Sequence, residues 1–337
     1  MQERTASVQT SLQAIAKKAS EQPGYRFRNL FGMLNEEMLK DSWQFIRKDA
    51  ASGVDRVSAK EYEQNLDEHI HQLVEDLKRK RYRAKHILRR NIPKGNGKFR
   101  PLGIPATQDK LLQLAVKRLL EAIYEQDFLQ SSFGYRPGIG ALDAVDKLNV
   151  KLQFGRYNYV VEADIKGFFD HINHCWLVRM LEQRIADRRL IGIIREWLKA
   201  GVMEELAHWS PSTEGTPQGG IISPMLGNIY LHFVQDLWIK KVVAKRSKGS
   251  VLFRRYADDS VVCFARKDDA EAYLRDLPAR LAKFGLALAE EKSALVKFNR
   301  WEPHSSGKFT FIPPTSRSAG QASRQVAALS RSMQSRL

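Results

Sequence analysis

Residues 251–264 run Val251-Leu252-Phe253-Arg254-Arg255-Tyr256-Ala257-Asp258-Asp259-Ser260-Val261-Val262-Cys263-Phe264. Two apolar runs flank adjacent aspartates, the pattern of a β-hairpin with its turn at Ala257-Asp258. A turn lets neighbouring carboxylates project off the end of a sheet without entering the core. Asp suits strand turns for conformational reasons of its own, so the pair alone does not make a site. A second β-rich run, Tyr157-Asn158-Tyr159-Val160-Val161-Glu162-Ala163-Asp164-Ile165, also ends in a carboxylate. Asp164, Asp258 and Asp259 at the ends of adjacent strands would repel one another, and each is costly to desolvate. Cations held between them answer both problems, and oxygen-only ligands favour Mg²⁺. This arrangement suits two-metal phosphoryl transfer, in which one ion lowers the pKa of an attacking hydroxyl and the other stabilises the leaving oxygen.

Three blocks stand in a fixed order: Ala163-Asp164-Ile165-Lys166-Gly167-Phe168-Phe169-Asp170, then Gly215-Thr216-Pro217-Gln218-Gly219-Gly220-Ile221-Ile222-Ser223-Pro224, then Tyr256-Ala257-Asp258-Asp259. In wording and order the chain resembles the reverse transcriptases encoded by bacterial group II introns, over residues 30–300. The resemblance implies an α+β fold: the fingers and palm of a right-hand polymerase, with an antiparallel palm sheet packed on helices. It implies an N-terminal extension over 1–60, fingers over 61–155, and a palm over 156–311 with elements of the fingers interleaved. By the same resemblance Asp164, Asp258 and Asp259 are the catalytic carboxylates. They and the Ile165 carbonyl form the shell of two Mg²⁺ ions, with Mn²⁺ as the alternative. Phe169 stands five residues after Asp164, where this family places an aromatic gate. A ring beneath the sugar leaves no room for a 2′-hydroxyl; the plainer reading makes Phe168 and Phe169 core residues. Gln218 and Gly219 fall where the family seats the nucleotide sugar, and glycine lets backbone approach a ligand closely.

Composition agrees with a polyanionic partner. The chain has 337 residues, a net charge of +17 and a pI near 9.8, which predicts a strongly basic surface. An apolar fraction of 43% supports a substantial core, and two cysteines suggest neither a disulfide framework nor a zinc site. No apolar run approaches the ~20 residues of a membrane span and the N-terminus lacks a signal-peptide pattern, so a cytoplasmic protein is expected. Tyr62 to Arg81 has helical periodicity and ends in Lys78-Arg79-Lys80-Arg81-Tyr82-Arg83. Cations there complement the helix dipole, but the run exceeds that need, and Arg79 and Arg81 are expected to meet phosphates. Gly95-Asn96-Gly97 marks a second hairpin. Its Lys94 and Arg100 resemble the family's grip on nucleotide phosphates, with Lys98 near the tip as a weaker candidate. Arg136, in Phe133-Gly134-Tyr135-Arg136-Pro137, and Lys292 are further nucleic-acid contacts by resemblance.

Periodicity predicts helices over 35–47, 108–126, 139–151, 223–238 and 268–284, and two helices over 176–200 meeting near Ala186-Asp187. Leu295 to Phe298 is expected as a strand, and residues 1–24 as a loose arm or short helix. After Lys308-Phe309-Thr310-Phe311 the pattern departs from the family, with Pro313-Pro314 and no acidic residue beyond Glu302. A missing thumb, through frameshift or truncation, and an atypical tail over 312–337 are the expectations there. The resemblance implies an RNA-directed DNA polymerase acting on an RNA template, a DNA or RNA primer and dNTPs, with intron RNA as a further partner. The alternative is a catalytically weak or inactive fragment that only binds intron RNA, in the manner of a maturase.

Overall fold

The computed structural model describes residues 2–95, 98–204, 209–210, 214–216, 219–299 and 311. In chain order its principal helices are α1 (Gln2–Glu21), α2 (Glu36–Trp43), α3 (Ala59–Gln64), α4 (Leu66–Lys78), α5 (Thr107–Tyr124), α6 (Ala141–Phe154), α7 (His174–Leu181), α8 (Arg188–Lys199) and α9 (Ser223–Leu231), followed by a helix over Lys267–Ala282. The strands are β1 (Ile87–Gly95), β2 (Lys98–Ile104), β3 (Tyr159–Ala163), β4 (Val202–Glu204), β5 (Trp209–Ser210), β6 (Val251–Tyr256), β7 (Asp259–Phe264) and β8 (Ala294–Lys297). The helical backbone opened by α9 continues to residue 246 through two π-helical stretches, His232–Asp236 and Ile239–Val243. The chain divides into two compact units, residues 1–127 with 169–229 and residues 128–168 with 230–337.

The first unit is mainly helical. α5 is its spine: Leu111, Leu112, Ala115, Val116, Leu119, Leu120 and Ile123 are all fully buried, the stripe expected of a core helix. α1 packs on α5 and α2. It is a 20-residue helix, longer than the loose arm or short helix expected there, because Val8, Ile15 and Ala19 supply a narrow buried seam. The single helix expected over 62–81 is two. Ser58 caps α3 in a reciprocal capping box with Glu61, and the chain breaks at Asn65 before α4. α7 and α8 meet where expected, with Asp187 Oδ1 accepting from the N–H groups of Arg189 and Leu190. The sheet of this unit has the order β2-β1-β4-β5. β1 and β2 form the expected antiparallel hairpin, with Ile92 opposite Arg100.

The second unit contains an antiparallel sheet of order β6-β7-β3-β8. Val160, Val161, Val261, Val262, Cys263 and Phe264 are buried, so the two central strands carry apolar side chains on both faces. One face meets α6, whose Ala144, Val145, Leu148 and Leu152 join Phe133, Leu252 and Phe311 in one core cluster. The helix over Lys267–Ala282 packs on β3 and β7. Helices over an antiparallel sheet are the α+β arrangement expected. The expected change of pattern after Phe311 lies outside the described residues. Among the described residues no helix is long and apolar enough to cross a membrane.

Candidate active site

The second unit brings the three aspartates to one end of its sheet. β6 ends at Tyr256 and β7 starts at Asp259, so Ala257-Asp258 is a two-residue turn with Tyr256 paired to Asp259. Ala257 has φ 56°, a left-handed conformation that matches hairpin twist and costs a non-glycine residue about 1 kcal/mol or more. β3 pairs with β7 up to Ala163 opposite Ser260. Asp164 directly follows the last paired residue of β3, and Asp259 directly precedes that residue's partner, Ser260. The tight Ala257-Asp258 turn fixes the β6–β7 register, with Tyr256 opposite Asp259.

The backbone around Asp164 is firmly held. The Asp164 carbonyl accepts from Ala289 N–H at 2.9 Å, and Lys166 N–H donates to the Ala287 carbonyl at 2.9 Å. These two bonds flank the antiparallel bridge of Ile165 with Leu288 without using the Ile165 carbonyl. Lys292 Nζ lies 2.7 Å from Asp164 Oδ2, and that hydrogen bond, followed by the carboxylate's charge, raises the lysine pKa. Among the described residues no group of three or more His, Cys, Asp or Glu side chains is gathered to hold a metal ion. The three carboxylates share a sheet end without being drawn into one cluster, and an ammonium neutralises Asp164. The donors are all oxygen, which is the chemistry a hard divalent cation requires.

Beneath the turn lies a buried polar network that the sequence reading missed. Arg255 is fully buried. Its Nε donates to Asp236 Oδ1 at 2.8 Å and its Nη2 to Asp236 Oδ2 at 2.7 Å. Its Nη1 donates to the Ala257 carbonyl at 2.8 Å and its Nη2 to Ser132 Oγ at 2.7 Å. Gln235 Nε2 donates to Ser260 Oγ at 2.9 Å, and that hydroxyl donates to the Ala163 carbonyl at 3.2 Å. The loop before α6 closes over the turn from the other side. Arg255 N–H donates to the Ser131 carbonyl, Phe133 N–H donates to the Arg255 carbonyl, and a side chain at Gly134 would collide with the Ala257 backbone.

The remaining residues singled out in the sequence fall in several places. Phe168 and Phe169 open a 3₁₀ turn, Phe168–His171, and both are buried. The Phe169 carbonyl accepts from Thr216 N–H at 2.7 Å. Gly219 has φ 121°, and a Cβ there would stand 2.6 Å from the Gly103 carbonyl oxygen, so only glycine fits. Gln218 lies outside the described residues, as do the side chains of Lys94, Lys98 and Arg100. Arg79 pairs with Glu75 at 3.3 Å and Arg81 with Asp76 at 3.0 Å, so both cations already have carboxylate partners on α4. Arg136 Nη1 donates to the carbonyls of Leu129 and Ser132 at 3.0 and 2.8 Å, turned onto its own loop.

Comparison with known proteins adds an independent line. Residues 92–323 match the family described as reverse transcriptase (RNA-dependent DNA polymerase). The chain is 41% identical over 179 residues to the group II intron-encoded protein LtrA of Lactococcus lactis subsp. cremoris, a match covering 52% of this chain and 29% of that protein. It is 31% identical over 282 residues to protein YkfC of Escherichia coli K12, covering 74% and 73% of the two chains. It is 32% identical over 241 residues to an uncharacterised 91 kDa protein in the cob intron of Schizosaccharomyces pombe, covering 69% and 30%. The chain therefore spans less than a third of the length of the first of these relatives.

Proposed function

Because the chain belongs to the reverse transcriptase (RNA-dependent DNA polymerase) family, we propose that it extends a primer 3′ end with dNTPs on an RNA template, and that intron RNA is among its partners. The observation that supports this reading is the β3–β7 pairing of Ala163 with Ser260, whose neighbours in sequence are Asp164 and Asp259, beside a turn bearing Asp258. These carboxylates, with the Ile165 carbonyl, would hold two divalent cations, Mg²⁺ or alternatively Mn²⁺. When bound, such ions lower the pKa of the attacking 3′-hydroxyl and neutralise charge on the leaving pyrophosphate. The protein's own part is to fix the carboxylates on a rigid sheet end and to position the triphosphate and sugar.

Lys94 and Arg100 neutralise the triphosphate from the β1–β2 hairpin. Phe169 excludes the ribose 2′-hydroxyl, and Gln218 with Gly219 seats the sugar. Arg79, Arg81, Arg136 and Lys292 contact the nucleic-acid backbone, giving up internal partners to do so. Counterion release then makes binding strongly salt-dependent. Primer extension on poly(rA)/oligo(dT) with dTTP and Mg²⁺ tests the proposal. Extension by the native chain, lost in Asp258→Ala/Asp259→Ala, is expected; no extension under any divalent cation overturns it. The net charge of +17 favours a second reading, RNA binding without synthesis. Retained, salt-sensitive RNA binding in a chain that never extends a primer would establish it.

A further inference from the structure

We propose that Gln235 and Asp236 are positioning residues: together they form a two-armed internal brace that sets the three aspartates in place. In each arm, a hydrogen-bond chain starts from one side chain of the π-helical stretch and ends beside the carboxylates. The first runs from Asp236 through the Arg255 guanidinium to the Ala257 carbonyl, one residue before Asp258. The second runs from Gln235 through Ser260 Oγ to the Ala163 carbonyl. Ser260 follows Asp259 directly, and Ala163 precedes Asp164. Asp258 and Asp164 thus each follow a residue on which an arm terminates, and Asp259 precedes Ser260, through which the second arm passes. A third contact, from Arg255 to Ser132, ties the same guanidinium to the loop packed on the turn.

Three features argue that this is more than core packing. First, the Arg255–Asp236 pair is fully buried. Two buried charges are no more stabilising than well-packed apolar side chains of similar volume, so their advantage lies in the geometry they impose. Second, adjacent residues Gln235 and Asp236 both reach the catalytic hairpin because the helix adopts a π turn there, closing Leu237 N–H onto the His232 carbonyl. π turns inside helices concentrate at functional sites. Third, Ala257 holds a left-handed backbone without being glycine. Such a conformation persists where its surroundings over-determine it, and here Arg255 bonds its carbonyl while Gly134 closes on its amide.

The activity part of the test rests on the proposed polymerase reading; the structural part does not. Asp236→Leu/Arg255→Met replaces the charged arm with apolar volume, and Gln235→Met removes the second arm without touching a charge. Hydrogen exchange over residues 256–260 is compared with the urea midpoint of the whole chain, and kcat and KM for dTTP are measured in primer extension. The brace predicts exchange about tenfold faster or more in that segment with the urea midpoint retained, and kcat lower by about 10²-fold, the usual consequence of a misplacement near 1 Å, with KM for dTTP nearly unchanged. Native exchange at 256–260 and native kcat in both variants would overturn the proposal. If the double variant does not fold, Gln235→Met decides by the same two readouts. If the native chain extends no primer, the polymerase reading falls, and exchange at 256–260 decides the brace alone.

Discussion

Replacing Lys292 by Met tests how the site manages its negative charge. Lys292 Nζ sits 2.7 Å from Asp164 Oδ2, with the lysine side chain 62% exposed and the aspartate 21%. A buried charge-assisted hydrogen bond contributes about 1.5–3 kcal/mol, but exposure of the lysine brings an ion pair of this kind down to about 1 kcal/mol or less. A divalent cation that takes Asp164 must displace the ammonium, so it loses that interaction. Lys292→Met removes the competitor, and about 0.5–1 kcal/mol corresponds to about a two- to fivefold gain in affinity. Because the hydrogen bond to Asp164 and then that carboxylate's charge raise the lysine pKa, Lys292 stays fully charged between pH 6 and 9, and the gain is constant over that window. Mn²⁺ binding to the free protein, followed by electron paramagnetic resonance at low and moderate salt, measures it directly. Asp164→Asn serves as the control that removes the ligand. Unchanged or weakened Mn²⁺ binding in Lys292→Met would refute the reasoning, because the ammonium would then assist the cation rather than compete with it.

Further predictions concern stability and the nucleotide site. Burial pushes the Asp109 carboxyl up to about 6. A raised carboxyl pKa favours the protonated folded form, so this stabilising contribution is complete below the unfolded value and lost as pH rises through 6. The shift from 3.8 corresponds to about 3 kcal/mol, so Asp109→Asn should be neutral to stabilising at pH 8 in urea melts and should lack that gain at pH 4.5. Burial lowers His232 to about 4. This group stabilises above its unfolded value, and the contribution is lost as pH falls from about 6.5 to 4, again about 3 kcal/mol. The two terms oppose each other over nearly one window, so His232→Gln should tilt the pH–stability profile toward acid and Asp109→Asn away from it; parallel profiles would contradict both. Tyr82 donates to Asp109 at 2.6 Å and accepts from Trp197 Nε1–H at 2.7 Å, so Tyr82→Phe should cost about 1–3 kcal/mol by leaving a buried indole donor unpaired, read as a lower urea midpoint. Gly219→Ala forces a Cβ against the Gly103 carbonyl and should raise KM for dTTP severalfold while Mn²⁺ binding stays native.

The parts of this fold that local sequence determines were legible, and those that depend on distant partners were not. The Tyr256-Ala257-Asp258-Asp259 hairpin is visible because both strands and the turn lie within fourteen residues of apolar patterning. α5 announces itself by periodicity, and Asp187 by its place just before α8. α1 was less legible because only a narrow seam of Val8, Ile15 and Ala19 is buried, and its packing on α5 supplies what its polar sequence does not. The break at Asn65 went unseen because apolar spacing runs through it. The ion pairs of Arg79 and Arg81 were within reach, since Glu75 lies one helical turn before Arg79.

Arg255 is the instructive omission. An arginine in a strand is ordinarily placed on the solvent face, and two in succession, Arg254 and Arg255, offered no reason to choose between them. The burial alternation of β6 turns Arg255 inward, and an inward guanidinium demands a buried acceptor. Such an acceptor was present in the sequence: Asp236 is the one acidic residue between Glu214 and Asp258, set in the apolar stretch Val234-Gln235-Asp236-Leu237-Trp238. Neither charge explains itself within its own element, and each is explained by the other. A lone acid in an apolar helix and a surplus base in an apolar strand, on either side of a motif expected to bind metal, are a local inconsistency of the kind that functional sites carry.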